Sequence, residues 1–177
     1  MFKPRIQRRH WLGCAIATGL TLMAGLHNSP AWALDAPQGR VILTVSGKIG
    51  QTNRDGKAVF DLTMLQKLPQ HTFTTQTPWE PKPVKFSGPR LKDVLTAVKA
   101  TGSQLTAVAL NDYKISLPVT DATQFGVMLA YRMNDEVLSV RTKGPLFVIY
   151  PFDSQAELKS AKYYERSIWQ LKAIDVQ

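Results

Sequence analysis

The chain has 177 residues, a formal net charge of +9 and a single cysteine, Cys14. One cysteine excludes an intramolecular disulfide framework. The basic residues are scattered and interrupted by acids, as at Lys48, Arg54, Asp55 and Lys57, with no basic block of the kind that marks a nucleic-acid-binding face.

The first 33 residues have the composition of an export leader. Lys3, Arg5, Arg8 and Arg9 open the chain without an acid, an apolar run covers residues 11–26, and Ala31-Trp32-Ala33 supplies a small-residue cleavage site. The run is interrupted by Gly and Thr and is shorter than the roughly 20 apolar residues a membrane helix needs. Arg8-Arg9, followed after His10 by Trp11 and Leu12, resembles a twin-arginine export signal, which serves proteins that cross folded. Cys14 follows only a charged segment, so a lipoprotein anchor there is disfavoured. Cleavage near Ala33 predicts a periplasmic chain of 144 residues with no cysteine and with 18 Lys+Arg against 13 Asp+Glu. That length can support one core.

Along residues 34–177 short strands alternate with two or three helices, which predicts one α+β domain. Residues 34–40 read as a flexible end and 41–45 as a strand, followed by a hairpin-type turn at Asn53, Arg54, Asp55 and Gly56. Asp61 can cap a helix over 62–68 that Pro69 stops. Residues 73–77 alternate in strand fashion, and Pro78, Pro81 and Pro83 then force an extended loop around Trp79. Pro89 suits the first turn of a helix carrying Leu91, Val94, Leu95 and Val98 on one face, with Gly102 as its stop. Strands follow at 105–110 and 113–118, a short linking turn, a strand at 127–131, a polar turn at 133–136, a strand at 146–150 and a closing strand at 167–174.

Several of these segments carry a family resemblance. The strand beginning at Tyr113, LAYRMNDEVL (129–138), GPLFVIYP (144–151), FSGPRLKDVL (86–95) and RSIWQLKAI (166–174) occur in the order of the molybdopterin-binding domain of the sulfite oxidase family. The resemblance covers most of residues 70–177 and implies a sulfite oxidase-like fold with a pterin pocket. In that family a cysteine thiolate before the glycine-containing strand–helix segment holds molybdenum. Here the segment reads HTFTTQTPW (71–79), with threonine in place of cysteine. A threonine hydroxyl is a poor metal ligand at neutral pH but donates and accepts hydrogen bonds well. With the chain ending at Gln177, the family's dimerisation and haem domains are also expected to be absent. The chain is similar to small periplasmic pterin-binding proteins, which implies binding of a pterin without molybdenum or catalysis. It also implies presentation to a partner such as the periplasmic domain of a membrane-bound cyclic-di-GMP enzyme. The alternatives are a molybdopterin-dependent oxidoreductase subunit whose metal is held by the cofactor's dithiolene alone, and a ligand-free interaction module.

A flat heterocycle rich in donors and acceptors needs aromatic walls and a ring of polar partners. The candidates are Phe73, Thr75, Thr77 and Trp79 on the threonine-rich segment, then Asp112, Tyr113, Tyr131, Arg132, Tyr150, Arg166 and Trp169. Tyr131 and Trp169 serve core packing equally well, Arg166 could be surface, and Asp112 could simply form a turn. Trp79 is the leading candidate because a large aromatic in a proline-rich loop has no evident core partner. His71, the one histidine after residue 33, leaves no multi-histidine metal site. It could join Ser87 or Ser154 in a hydrolase only without the usual nucleophile elbow, and no phosphate-cradling glycine loop is present.

Overall fold

The computed structural model describes residues 34–177; the expected leader, with its arginine pair and Cys14, lies outside them. Strand β1 (Val41–Gly47) buries Leu43 and Val45 on one face, as period-2 alternation requires. It pairs antiparallel with β2 (Ala58–Asp61) across the expected hairpin, where Asp55 and Gly56 both take positive φ (47° and 72°). On its other edge β1 runs parallel to β11 (Leu171–Val176), with Thr44 opposite Ala173. Strands β5 (Gln104–Ala109) and β6 (Lys114–Pro118) complete a five-stranded mixed sheet in the order β2-β1-β11-β5-β6.

A second, antiparallel sheet takes the order β3-β4-β8-β9, from β3 (Gln70–Thr75), β4 (Val84–Pro89), β8 (Arg132–Met133) and β9 (Glu136–Val137). Asn134 and Asp135 make the β8–β9 turn with φ of 51° and 68°. Between the sheets lies the ladder of β7 (Met128–Ala130) and β10 (Phe147–Ile149), every residue of which is buried. Gly88 lets β4 lie directly on β7, since a Cβ there would stand 2.2 Å from the Leu129 carbonyl oxygen.

Helix α1 (Leu62–Lys67) starts as expected at Asp61, whose carboxylate accepts from the Met64 amide at 2.8 Å. The same side chain ties down the start of the domain by accepting from the Gln38 and Gly39 amides, also at 2.8 Å. Helix α2 (Leu91–Ala97) buries the expected Leu91, Val94 and Leu95. Its ends differ from expectation. Pro89 closes β4 opposite Gln70, and Arg90 is the cap. The helix stops at Lys99 in the left-handed region (φ 50°), while Gly102 packs where a Cβ would meet the Gln177 carbonyl at 2.2 Å.

Two helices were not expected, one of them in place of a turn. Helix α3 (Val119–Gln124) occupies the linking turn after Pro118, and α4 (Ala161–Arg166) precedes the closing strand. Residues 167–170 are therefore not strand: Gln170 turns with φ 54°, and β11 begins at Leu171. Strand β3 ends at Thr75, leaving Gln76 and Thr77 in the loop. No helix among the described residues is long and apolar enough to cross a membrane. The α+β class stands, as one small domain of mixed and antiparallel sheets with four short α-helices.

Candidate functional site

The β3–β4 loop cannot extend the ladder through its prolines, so it folds inward and is fastened at several points. Asp153 accepts from the Gln76 amide at 2.6 Å and pairs with Lys159 at 2.8 Å, and these two contacts hold its carboxyl below the ordinary range. Farther along, the Gln76 side-chain amide donates to the Glu80 carbonyl at 2.9 Å, and Lys143 pairs with the Glu80 carboxylate. This fastening delivers Trp79 into an aromatic nest. Its ring centroid lies 5.7 Å from Trp169, 5.9 Å from Phe147, and 6.1 Å from both Phe152 and Tyr164. The Trp169, Tyr164 and Phe152 contacts are edge-on, the favoured arrangement for ring quadrupoles. The sequence expectation that Trp79 lacks a core partner is thus corrected: it is half-buried against the core.

One side of Trp79 remains open to a cavity of about 400 Å³. The β5–β6 turn contributes Asn111 and Tyr113, α4 contributes Tyr164 and Glu165, and the α4–β11 connection contributes Ser167, Ile168 and Trp169. Tyr113 and Trp169 are 49% and 41% exposed, so large apolar surface is presented rather than buried. The polar groups have defined duties. Asn111 Oδ1 accepts from the Tyr113 amide at 3.2 Å, and the Ser167 hydroxyl donates to the Tyr163 carbonyl at 2.9 Å. The Asn111 amide donors and the Glu165 carboxylate face no such obligation among the described residues. The cleft suits a planar ring with a polar edge.

Of the residues singled out from the sequence, Trp79, Tyr113 and Trp169 meet at this cleft. The others are placed elsewhere. Tyr150 and Arg166 converge on buried Asp121, the hydroxyl and the guanidinium each donating to Asp121 Oδ2 at 2.7 Å. Burial, and next the Asp121 carboxylate, push the Tyr150 hydroxyl far above its ordinary pKa. Thr75 is buried, and its hydroxyl is engaged with Asp153, accepting from the Asp153 amide at 3.0 Å. Thr77 Oγ1 is buried with no hydrogen-bond partner among the described residues. Tyr131 is buried and donates to Gln70 at 2.9 Å, Arg132 donates to the Asp135 carbonyl at 2.8 Å, and Phe73 tilts against Phe86. Asp112 takes φ 65° in its turn and forms an exposed 2.6 Å pair with Lys172, which holds its carboxyl low. Sequence reading did not select Asn111, Tyr164, Glu165 or Ser167 as site residues. The mixed charged and aromatic run at residues 162–166 was the available signal.

His71 stands 3.4 Å from Asp93. It pairs with Gly88 across the sheet, whereas Thr72 pairs with Ser87 and the two hydroxyls lie 2.9 Å apart. Successive residues point to opposite faces, so His71 and Ser87 are on different sides of the sheet and form no dyad.

The chain is a mixed α+β domain with an aromatic cleft beside its closing strand. Residues 41–167 match the oxidoreductase molybdopterin binding domain, and the chain belongs to that family, whose domains bind molybdopterin. No curated protein matches the chain. The donor set fits the organic part of such a cofactor better than its metal. Residues 34–177 contain no cysteine, and among them no three His, Cys, Asp or Glu residues are grouped to hold a metal ion. Aromatic walls and hydrogen-bonding edges are what a pterin ring requires.

Proposed function

We propose that this protein binds a pterin without molybdenum and performs no redox catalysis itself. The observation that carries the reading is the cleft, in which Trp79 is edge-packed by Trp169 and Tyr164 beside Tyr113, in a domain with no thiolate to offer a metal. A bound pterin would lie against the exposed aromatic faces, with its polar edge toward Asn111 and Glu165. The leader composition supports export to the periplasm with cleavage near Ala33. There the open cleft would let a protein partner sense occupancy, such as the periplasmic domain of a membrane-bound cyclic-di-GMP enzyme. If the twin-arginine route is used, Arg8→Lys with Arg9→Lys blocks export, because that machinery reads the pair as an address rather than as charge. Unimpaired export of this variant would overturn that route. The binding reading is tested by titrating pterin against exported, processed protein and following tryptophan fluorescence, since Trp79 and Trp169 line the cleft. Saturable quenching with one site per chain is expected, and its absence would overturn the reading.

Family membership favours one competing reading, a molybdopterin-dependent oxidoreductase whose metal is held only by the cofactor's dithiolene. Turnover of sulfite or a sulfoxide by the metal-loaded protein would support that reading instead.

A further inference from the structure

Glu165 is the one acidic side chain among the residues lining the cleft, and it has no ion-pair partner among the described residues. This contrasts with four carboxylates around the cleft and the core. Asp112 is paired with Lys172, Asp121 with Arg166, Asp153 with Lys159 and Glu80 with Lys143. The other polar lining groups offer no bidentate acceptor. Ser167 donates to a backbone carbonyl, and Asn111 Oδ1 is occupied by the Tyr113 amide, which leaves the Asn111 amide as a donor.

We infer that Glu165 selects the ligand by accepting two parallel hydrogen bonds from a 2-amino-4-oxo pyrimidine edge, so that the cleft takes 2-aminopterins in preference to 2-oxo analogues. This rests on the pterin-binding reading. The chemistry is that of a carboxylate facing a guanidinium fork: the 2-amino group and the adjacent ring N–H present two donors at the spacing of two carboxylate oxygens. In lumazine a carbonyl replaces the 2-amino group, so one donor becomes an acceptor and faces the carboxylate's negative charge. Acceptors facing each other disfavour the 2-oxo ligand even in this open cleft, whereas shape alone does not distinguish these near-isosteres. The Asn111 amide can meet the 4-oxo group that both ligands share. Asp112, the one acidic residue among the sequence candidates, is held by Lys172 outside the cleft lining.

The test is a pair of titrations, pterin and lumazine, against the processed full protein and its Glu165→Gln, Asp112→Asn and Tyr113→Ala variants. Wild type is expected to prefer pterin by about tenfold, the effect of roughly one charge-assisted hydrogen bond. Glu165→Gln, which presents one donor and one acceptor, is expected to lose that preference, with lumazine binding more tightly because the amide N–H meets its 2-oxo group. Asp112→Asn is expected to keep the preference, and Tyr113→Ala to weaken both ligands alike. A Glu165→Gln variant that still prefers pterin tenfold would overturn the inference and leave the pterin reading standing. If wild type binds neither ligand, both fall together.

Discussion

Trp79 links the loop to the core and the core to the cleft, so its replacement acts on both. Removing the indole from four aromatic neighbours is expected to cost on the order of 2–3 kcal/mol of stability, less than a fully buried aromatic. Tyr113, at 49% exposed, separates the two roles. Tyr113→Ala is expected to weaken pterin by about 1–3 kcal/mol, the range for losing one stacking partner, with an unchanged melting temperature. Calorimetric titration alongside thermal melts checks this, and unchanged affinity would remove Tyr113 from the site. Arg166 has a different duty. Arg166→Met leaves Asp121 buried beside Tyr150 without its cation and is expected to destabilise the fold by about 3–5 kcal/mol in urea melts. A loss below about 1 kcal/mol would show that water or relaxation satisfies Asp121. From sequence, Arg166 and Tyr150 are two aromatic-region polar residues with nothing to tell core from cleft. Their shared partner, Asp121, lies 45 residues from Arg166 and 29 from Tyr150, beyond any local pattern. Trp79 was legible as a loop aromatic and not as packed, because its four partners lie far along the chain.

The elements legible in the sequence are those whose signal is local. Asp61 caps α1, Asp55-Gly56 turns the first hairpin, and the apolar spacing of α2 faces the core as read. Asp61→Ala is expected to cost about 1–2 kcal/mol, because it strips the Met64 cap and also the Gln38 and Gly39 contacts. Helix ends and short helices were not legible. Six residues give α4 less than two turns, too few for a 3.6-residue period to emerge. Its Tyr164 and Glu165 were lost from the site for that reason. Gly88 shows the reverse case, a sequence glycine whose purpose only packing reveals. Gly88→Ala drives a methyl group into the Leu129 carbonyl and is expected to destabilise by about 1–3 kcal/mol or more, with the β4–β7 contact opening first. Amide hydrogen exchange at Tyr131, whose N–H donates to the Ser87 carbonyl of β4 at 3.1 Å, reads that opening directly.

For the whole molecule, ionisation sets the pH limits. The folded carboxyls of Asp61 and Asp153 lie below their ordinary value, Asp61 chiefly through backbone N–H donors and Asp153 chiefly through Lys159. Their contribution is therefore complete above the unfolded carboxylate pKa of about 4 and is lost as pH falls through the lower folded values. Tyr150 acts in the opposite sense. Its folded pKa is raised by burial, so stability is retained below the unfolded tyrosine pKa of about 10 and declines as pH rises beyond it. Urea melts across pH are expected to show both limbs, and Tyr150→Phe is expected to soften only the alkaline one. At this scale the family and the α+β class were legible because ordered motifs span most of the domain, whereas the cleft was legible only where its walls are aromatic. The central claim is that the domain holds a pterin and no molybdenum. It is tested most directly by releasing and weighing the small molecules, and counting the metal, in protein purified from its own export route. One pterin per chain with substoichiometric molybdenum is the expected result, and one molybdenum per chain would contradict it.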